Sequence, residues 1–533
     1  MAMNSWCTRI AQRCMLLAIA CLGWMVTTAH VGTNQVVFEG TAGGYPVRVM
    51  IDPPGVVPGQ VPIVVRVLSG SPTRVTVRAA QWNVGTKGAP PAEDAAIVSG
   101  DAGVWSHELW IMTASTYAVY VGVEGPAGNG TVVVPLQTTA TRTLGMERGM
   151  GALLIVLGLL LVAGILTIAG AASREGTLAP GETPTPARVR AARVTMATAA
   201  GILALALVGG SQWWNAEERA YQRRLYRPLA IDTRIRAVDN ERVLTIGITD
   251  SLWLTNRLLP LMPDHGKLMH LFLIRADDHD AIAHLHPVRV HPDSFVTRVP
   301  PLPQGRYLLF GDLLFQNGAQ RTLVDTVDMP VQPVVADANA SANTKANPET
   351  SPTPDVDDAW RVVRAVPLGD SVVLASGGSL RLAADAPVAR ARDLRLQVTL
   401  HDADGQASTT EPYMGMGGHA MVLRRDGGIF MHLHPMGTAS MTAQAQLMRR
   451  ERGDTARLDS AQIAAVAAAA ESSMHDVSMP ASAAQTHATM NGMTGSGPIA
   501  FPFAFPSAGD YRVFVQIRRR GAVETAAFDV HVP

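Results

Sequence analysis

The chain has 533 residues, and its 44 Lys plus Arg balance 44 Asp plus Glu to a net charge of zero. No basic surplus exists to attract polyphosphate, which argues against a nucleic-acid partner. Charged residues are 17% and hydrophobic ones 47%, an excess that needs lipid or several buried cores, and the length calls for three or four domains.

Residues 1–29 read as a signal peptide. Arg9 and Arg13 precede an apolar run over 15–26, and Thr27-Thr28-Ala29 supplies the small residues of a cleavage site. All three cysteines, Cys7, Cys14 and Cys21, fall inside it, so cleavage after Ala29 leaves no cysteine for a disulfide, a thiolate metal site or a nucleophile. An uncleaved anchor, or lipidation at the box Ala18-Ile19-Ala20-Cys21, would equally export the downstream chain.

Residues 30–145 carry strand-like runs at 61–67, 73–79 and 116–123 between Pro- and Gly-rich turns, the texture of an antiparallel sandwich of about seven strands. No charge occurs between Arg148 and Arg174, and residues 149–172 are long enough to cross a hydrocarbon core of about 30 Å. A second apolar stretch, 194–214, ends on Trp213 and Trp214. These predict a two-helix transmembrane hairpin around a loop at 173–193. Arg174, Arg188, Arg190 and Arg193 favour a cytoplasmic loop, but Arg219, Arg223, Arg224 and Arg227 nearly balance them. The export signal decides the orientation, with 30–148 and everything after about residue 215 on the periplasmic or extracellular side.

Two further β-sandwiches are expected at 228–335 and 359–533, joined by a linker at 336–358 rich in Ala, Pro, Asn, Ser, Thr and Asp. The fold class is therefore mainly β: three immunoglobulin-like or cupredoxin-like antiparallel sandwiches plus the hairpin. A low-complexity insert at 443–497 interrupts the last sandwich, with a short alanine-rich helix through Ala470 capped by Asp459 or Ser460.

The last two sandwiches repeat one motif. PDHGKLMHLFLIRADDHDAIAHLH at 263–286 matches PYMGMGGHAMVLRRDGGIFMHLH at 412–434; a proline follows each, and Gly305-Arg306-Tyr307 and Gly509-Asp510-Tyr511 open a later strand. In HLHP the two histidines are i and i+2, so they share a strand face. The Asp426-Gly427 turn pairs His419 with His434, uniting His419, His432 and His434; a turn around Asp277 pairs His270 with His284, uniting His270, His284 and His286.

Three imidazoles on a rigid sheet make a first shell for copper or zinc. Met414, Met416, Met421, Met436 and Met441 lie near the second motif, Met421 shares the His419 face, and His265 aligns with Met414. Thioethers select Cu(I), and zinc makes little use of them. The insert adds Met474, His475, Met479, His487, Met490 and Met493.

HLHP with its upstream histidine, the G-x-Y strand openings and the Met/His-rich insert resemble the periplasmic copper-handling β-sandwich proteins of the CopC and YtkA-like groups. That resemblance implies copper buffering or delivery, an envelope metalloprotein as partner, and an amino-terminal ligand such as His30, with His107 the other histidine of that domain. No HExxH, GxSxG or phosphate-binding loop occurs, so no nucleotide and no covalent hydrolysis is expected. A zinc-dependent lyase or hydrolase, with Asp264 or Asp278 moving protons, is one alternative. The other is an envelope sensor or assembly scaffold whose histidines are structural.

Overall fold

The computed structural model describes residues 35–238, 241–255, 258–331, 352–451, 458–459, 461–463, 465 and 499–533. They form two compact units: residues 54–59 with 139–227, and the remainder.

The smaller unit is dominated by the helices Arg148–Glu175 and Pro186–Gln222, both long and apolar enough to cross a membrane. The Ser173 hydroxyl donates to Thr195 at 2.9 Å. A Cβ on Gly170 would come within 2.7 Å of Met196 Sδ, so glycine sets the approach of the helices there. The connection spans only residues 176–185. Thr185 caps the second helix and Pro186 takes its first position, which draws Arg188, Arg190 and Arg193 out of the expected loop and into helix.

The larger unit contains three antiparallel sandwiches. The first has nine strands in two sheets, where the sequence suggests about seven; its Gly59–Val67 strand alternates so that Val61, Ile63 and Val65 are buried.

The two repeats share a strand order. In the first, one sheet runs Gln320–Met329, Gly305–Phe315, His270–Arg275, Ala281–Leu285. In the second it runs Ala522–Val532, Gly509–Arg519, His419–Arg424, Phe430–Leu433. Tyr307 and Tyr511 open matching strands, and each hydroxyl donates back four residues, to the Pro303 and Ser507 carbonyls at 2.9 Å.

These sheets pack face to face. Their shared core is made of equivalent pairs: Phe272 with Met421, Ile274 with Leu423, Ile282 with Phe430, Phe310 with Phe514, and Val324 with Ala527. Phe310 stacks on Phe430 at 4.2 Å between ring centroids. The repeats are thus related by a pseudo-twofold, an isologous contact within one chain.

Three expected boundaries change. Ala359–Val362, assigned from sequence to the last sandwich, pairs with Ala281–Leu285 of the first repeat. Residues 352–358 of the expected linker lie against that repeat, with Asp355 bound by Lys267 and Asp358 by His286; residues 336–351 lie outside the described residues. The insert opens with a packed helix, Met441–Glu451, because its Ala443, Gln446 and Leu447 positions form one buried stripe. Asp459 accepts from the Gln462 N–H at 2.8 Å as the expected cap, but the helix through Ala470 falls largely outside the described residues.

Leu447 sits among Ala80, Ala118, Tyr120 and Val133 of the first sandwich, while Ala443 joins Met262 and Leu314 of the first repeat. A second seam holds the first sandwich to the last: Arg395 and Arg48 converge on Glu39, and Arg48 also reaches Asp393 at 3.0 Å. Leu447→Ala should therefore cost about 2–5 kcal/mol of stability, measured as a lowered denaturation midpoint of the full-length protein; an unchanged midpoint would mean the helix is not part of the packed core.

Candidate metal centre

The face-to-face packing brings the histidines of both motifs to one place. His265, His270, His284, His286, His419 and His434 are buried, and His432 is 7% exposed at its side chain. Adjacent rings lie about one ring diameter apart, as between His432 and His434 at 4.6 Å and His270 and His432 at 5.3 Å. Two triads, His270/His284/His286 and His265/His419/His434, each offer ligand atoms within 4.8 Å of one another.

The first triad has the residues the sequence predicts, but not the predicted pairing. Leu271 faces Leu285 and Phe272 faces His284, so His270 stands opposite His286. The turn is longer than expected: Arg275 binds Asp278 and Asp280, and His279 adopts φ 55°, which moves the centre of the hairpin toward Asp278. A shift of two residues preserves the face, whereas a shift of one would have reversed it.

Each first-triad histidine has one nitrogen held from outside. His270 Nε2 donates to the Asp264 carbonyl at 3.0 Å, His284 Nδ1 to Gln516 Oε1 at 2.9 Å, and His286 Nδ1 to the Asp358 carboxylate at 3.0 Å. Such partners fix tautomer and ring orientation in metal sites. The inner nitrogens, His270 Nδ1 and His284 Nε2, stand 3.1 Å apart, within hydrogen-bond reach of each other. In the tautomers that donate to all three outer acceptors both carry lone pairs, which repel at that distance. A cation between them removes the repulsion, and 3.1 Å is close to the edge of about 3.3 Å expected for two imidazoles on one tetrahedral ion.

In the second triad His419 has no hydrogen-bond partner on either nitrogen, His434 has the Ala439 backbone beside it, and His265 Nε2, His432 Nε2 and His286 Nε2 are also unpaired and buried. The five unpaired nitrogens of His419, His265, His432 and His286 would cost about 1–3 kcal/mol each if left dry, a sum comparable with the about 5–15 kcal/mol that stabilises a whole domain. A ligand or solvent must therefore supply partners. Asp312 approaches His432 Nδ1 at 3.8 Å from the strand position equivalent to Gln516. Burial pushes Asp312 up to about 7.

Met414 and Met416 are buried in the turn that corresponds to Asp264–Lys267, and Met421 fills the inter-repeat core opposite Phe514 as the counterpart of Phe272. His107 pairs with Glu93 at 2.9 Å, apart from both triads. Asp278 is tied to Arg275 in the exposed turn, and Asp264 is buried with its carboxylate on Ser440 at 2.9 Å. His30 and the methionines and histidines of 474–493 lie outside the described residues. Sequence reasoning missed His265 as a triad member, together with Gln516, Asp312 and Asp358; the shared turn of His265-Gly266 and Met414-Gly415 was the available signal for the first.

The family profile described as Domain of unknown function (DUF8832) matches residues 374–454 and 451–533, both in the second repeat. That description assigns no activity. No curated protein matches. Among solved structures, Escherichia coli alpha-2-macroglobulin activated by porcine elastase is 8% identical at a TM-score of 0.17, covering 91% of this chain and 30% of that one. The chicken CNTN1 FN1–FN3 domains are 8% identical at 0.13, covering 93% and 98%. The ICAM-5 D1–D4 ectodomain fragment is 8% identical at 0.15, covering 92% and 83%. This chain thus spans under a third of the macroglobulin's length, and scores this low carry no functional argument.

Burial pushes His270 down to about 4, and burial together with neighbouring His265 pushes His434 down to about 3. Both values are depressed below the 6.5 of an unfolded chain, so the unfolded state takes up the extra proton first. The histidines' contribution to metal-free stability should be complete above about pH 6.5 and be lost as pH falls toward 4, by about 3 kcal/mol for His270 alone, while Asp312 and Asp358, both raised to about 7, add stability as pH falls over the same window. Urea denaturation at stepped pH of an Asp312→Asn/Asp358→Asn variant isolates the histidine part; a flat profile between 6.5 and 4 in that variant would contradict the burial of these rings.

Proposed function

We propose that this protein is a membrane-anchored, extracytoplasmic metal-binding protein that buffers copper or delivers it to an envelope partner. The observation that carries the proposal is the set of buried imidazole nitrogens that converge without partners where the two repeats meet. Outer acceptors on His270, His284 and His286 leave one lone pair on each ring directed inward, as a metal shell needs. The N-terminal export signal and the two apolar helices support placing the sandwiches outside the membrane.

Copper is preferred to zinc because the surroundings are soft. Met414, Met416 and Met436 are buried and lie within five residues of His419 or His434 in sequence, and a further Met/His tract occupies the insert. Catalysis by a zinc-bound water receives less support, since Asp264 is buried and bonded to Ser440, and the half-buried Asp312 is bonded to Thr322.

Titration of the metal-stripped, detergent-solubilised full-length protein with Cu(I), Cu(II) and Zn(II) tests the reading. Binding tighter than about 1 μM is expected, strongest for Cu(I), and His432→Ala with His434→Ala should remove one class of site; failure to bind any of the three overturns it. The full chain is required because the Met441–Glu451 helix packs on the first sandwich. Gln516→Leu should weaken the first-triad site by about 10–100-fold without changing stoichiometry, the usual effect of removing an outer partner of a ligating histidine. Equilibrium competition with a chromophoric chelator reads this out.

A further inference from the structure

The pseudo-twofold that relates the repeats also relates two turns that do not carry the same residue. Asp264 bridges Lys267 around His265 and Gly266, and Tyr413 bridges Met416 around Met414 and Gly415. Both turns place their central residues in the left-handed region, His265 at φ 50° and Met414 at φ 48° with a glycine after each. The backbone therefore presents His265 and Met414 in the same way.

His265 does not serve mainly its own repeat. Its ring lies 4.9 Å from His434 and 5.7 Å from His419, but 6.2 Å from His270. The preceding residues of both turns cross over as well. Asp264 accepts from Ser440 of the second repeat, while the Tyr413 hydroxyl donates to the Asp357 carbonyl at 2.9 Å and stands 3.4 Å from His284 Nδ1 on the first repeat's side. The outer partners cross too, Gln516 to His284 and Asp312 toward His432.

We infer that the two metal sites are completed by reciprocal exchange across the pseudo-twofold. His265 of the first repeat completes the site of His419 and His434, and the Met414 thioether of the second repeat completes the site of His270, His284 and His286. The inference rests on the metal-binding function proposed for the chain. One site is then all nitrogen and suits Zn(II) or Cu(II); the other has three nitrogens and one sulfur and selects Cu(I). Met414 is 3% exposed, so its sulfur is enclosed with no solvent to compete for it.

The test uses full-length protein in two backgrounds, His419→Ala/His434→Ala, which keeps the first site, and His284→Ala/His286→Ala, which keeps the second. Met414→Leu is added to each; it conserves volume, and thermal denaturation verifies folding. Cu(I) affinity is measured by chelator competition, and copper–sulfur scattering by X-ray absorption. Met414→Leu should weaken Cu(I) by at least about tenfold and abolish the sulfur signal in the first background while leaving the second unchanged, since losing a ligand costs no less than losing an outer partner. His265→Leu should show the opposite pattern. Loss confined to the second background with Met414→Leu would assign Met414 to its own repeat, and no loss in either would make it a packing residue; both results overturn the exchange while keeping metal binding. If neither background binds Cu(I) before Met414 is altered, the metal-binding reading fails as well.

Discussion

The packing of two sheets along the Phe310–Phe430 stack governs the rest of the larger unit. Each HLHP hairpin alone would present three imidazoles on an open sheet, where water could satisfy them. Pressing the two sheets together removes that water, and the apolar pairs that drive the contact are worth about 1.5–3 kcal/mol per large side chain. The same burial that stabilises the interface makes unpaired imidazoles expensive, so the core and the candidate metal centre are two consequences of one contact.

The first sandwich takes part in holding that contact. Its Glu39 binds arginines from its own sheet and from the second repeat, and the Met441–Glu451 helix fills a seam between the first sandwich and the first repeat. Gly437 closes against the backbone of Val37 and Phe38, where a Cβ would meet the Val37 carbonyl oxygen at 1.9 Å. The chain just beyond His434 is thereby fixed by a neighbour distant in sequence.

Local periodicity made much of this legible. Alternation in HLHP placed His284 with His286 and His432 with His434 on single faces, and the Asp426-Gly427 turn gave the correct register in the second repeat. The first-repeat register was misjudged because Arg275, Asp278 and Asp280 organise a longer turn through side chains that no hairpin rule describes. Contacts between repeats were beyond reach. Met421 looked like a ligand because it shares a face with His419, yet there it packs, beside Phe514 of its own sheet, against the sheet of the first repeat. Gln516 is 232 residues from the His284 ring it holds, and no spacing rule covers that separation.

An isologous contact between identical subunits obliges both halves to carry the same residue at every position. Here the two halves belong to one chain, which lifts that obligation: Asp312 stands where its counterpart is Gln516, and His265 where its counterpart is Met414. A homodimer of a single sandwich could offer only two identical pockets. Covalent fusion lets one scaffold hold two chemically different pockets side by side, each able to change without altering the other.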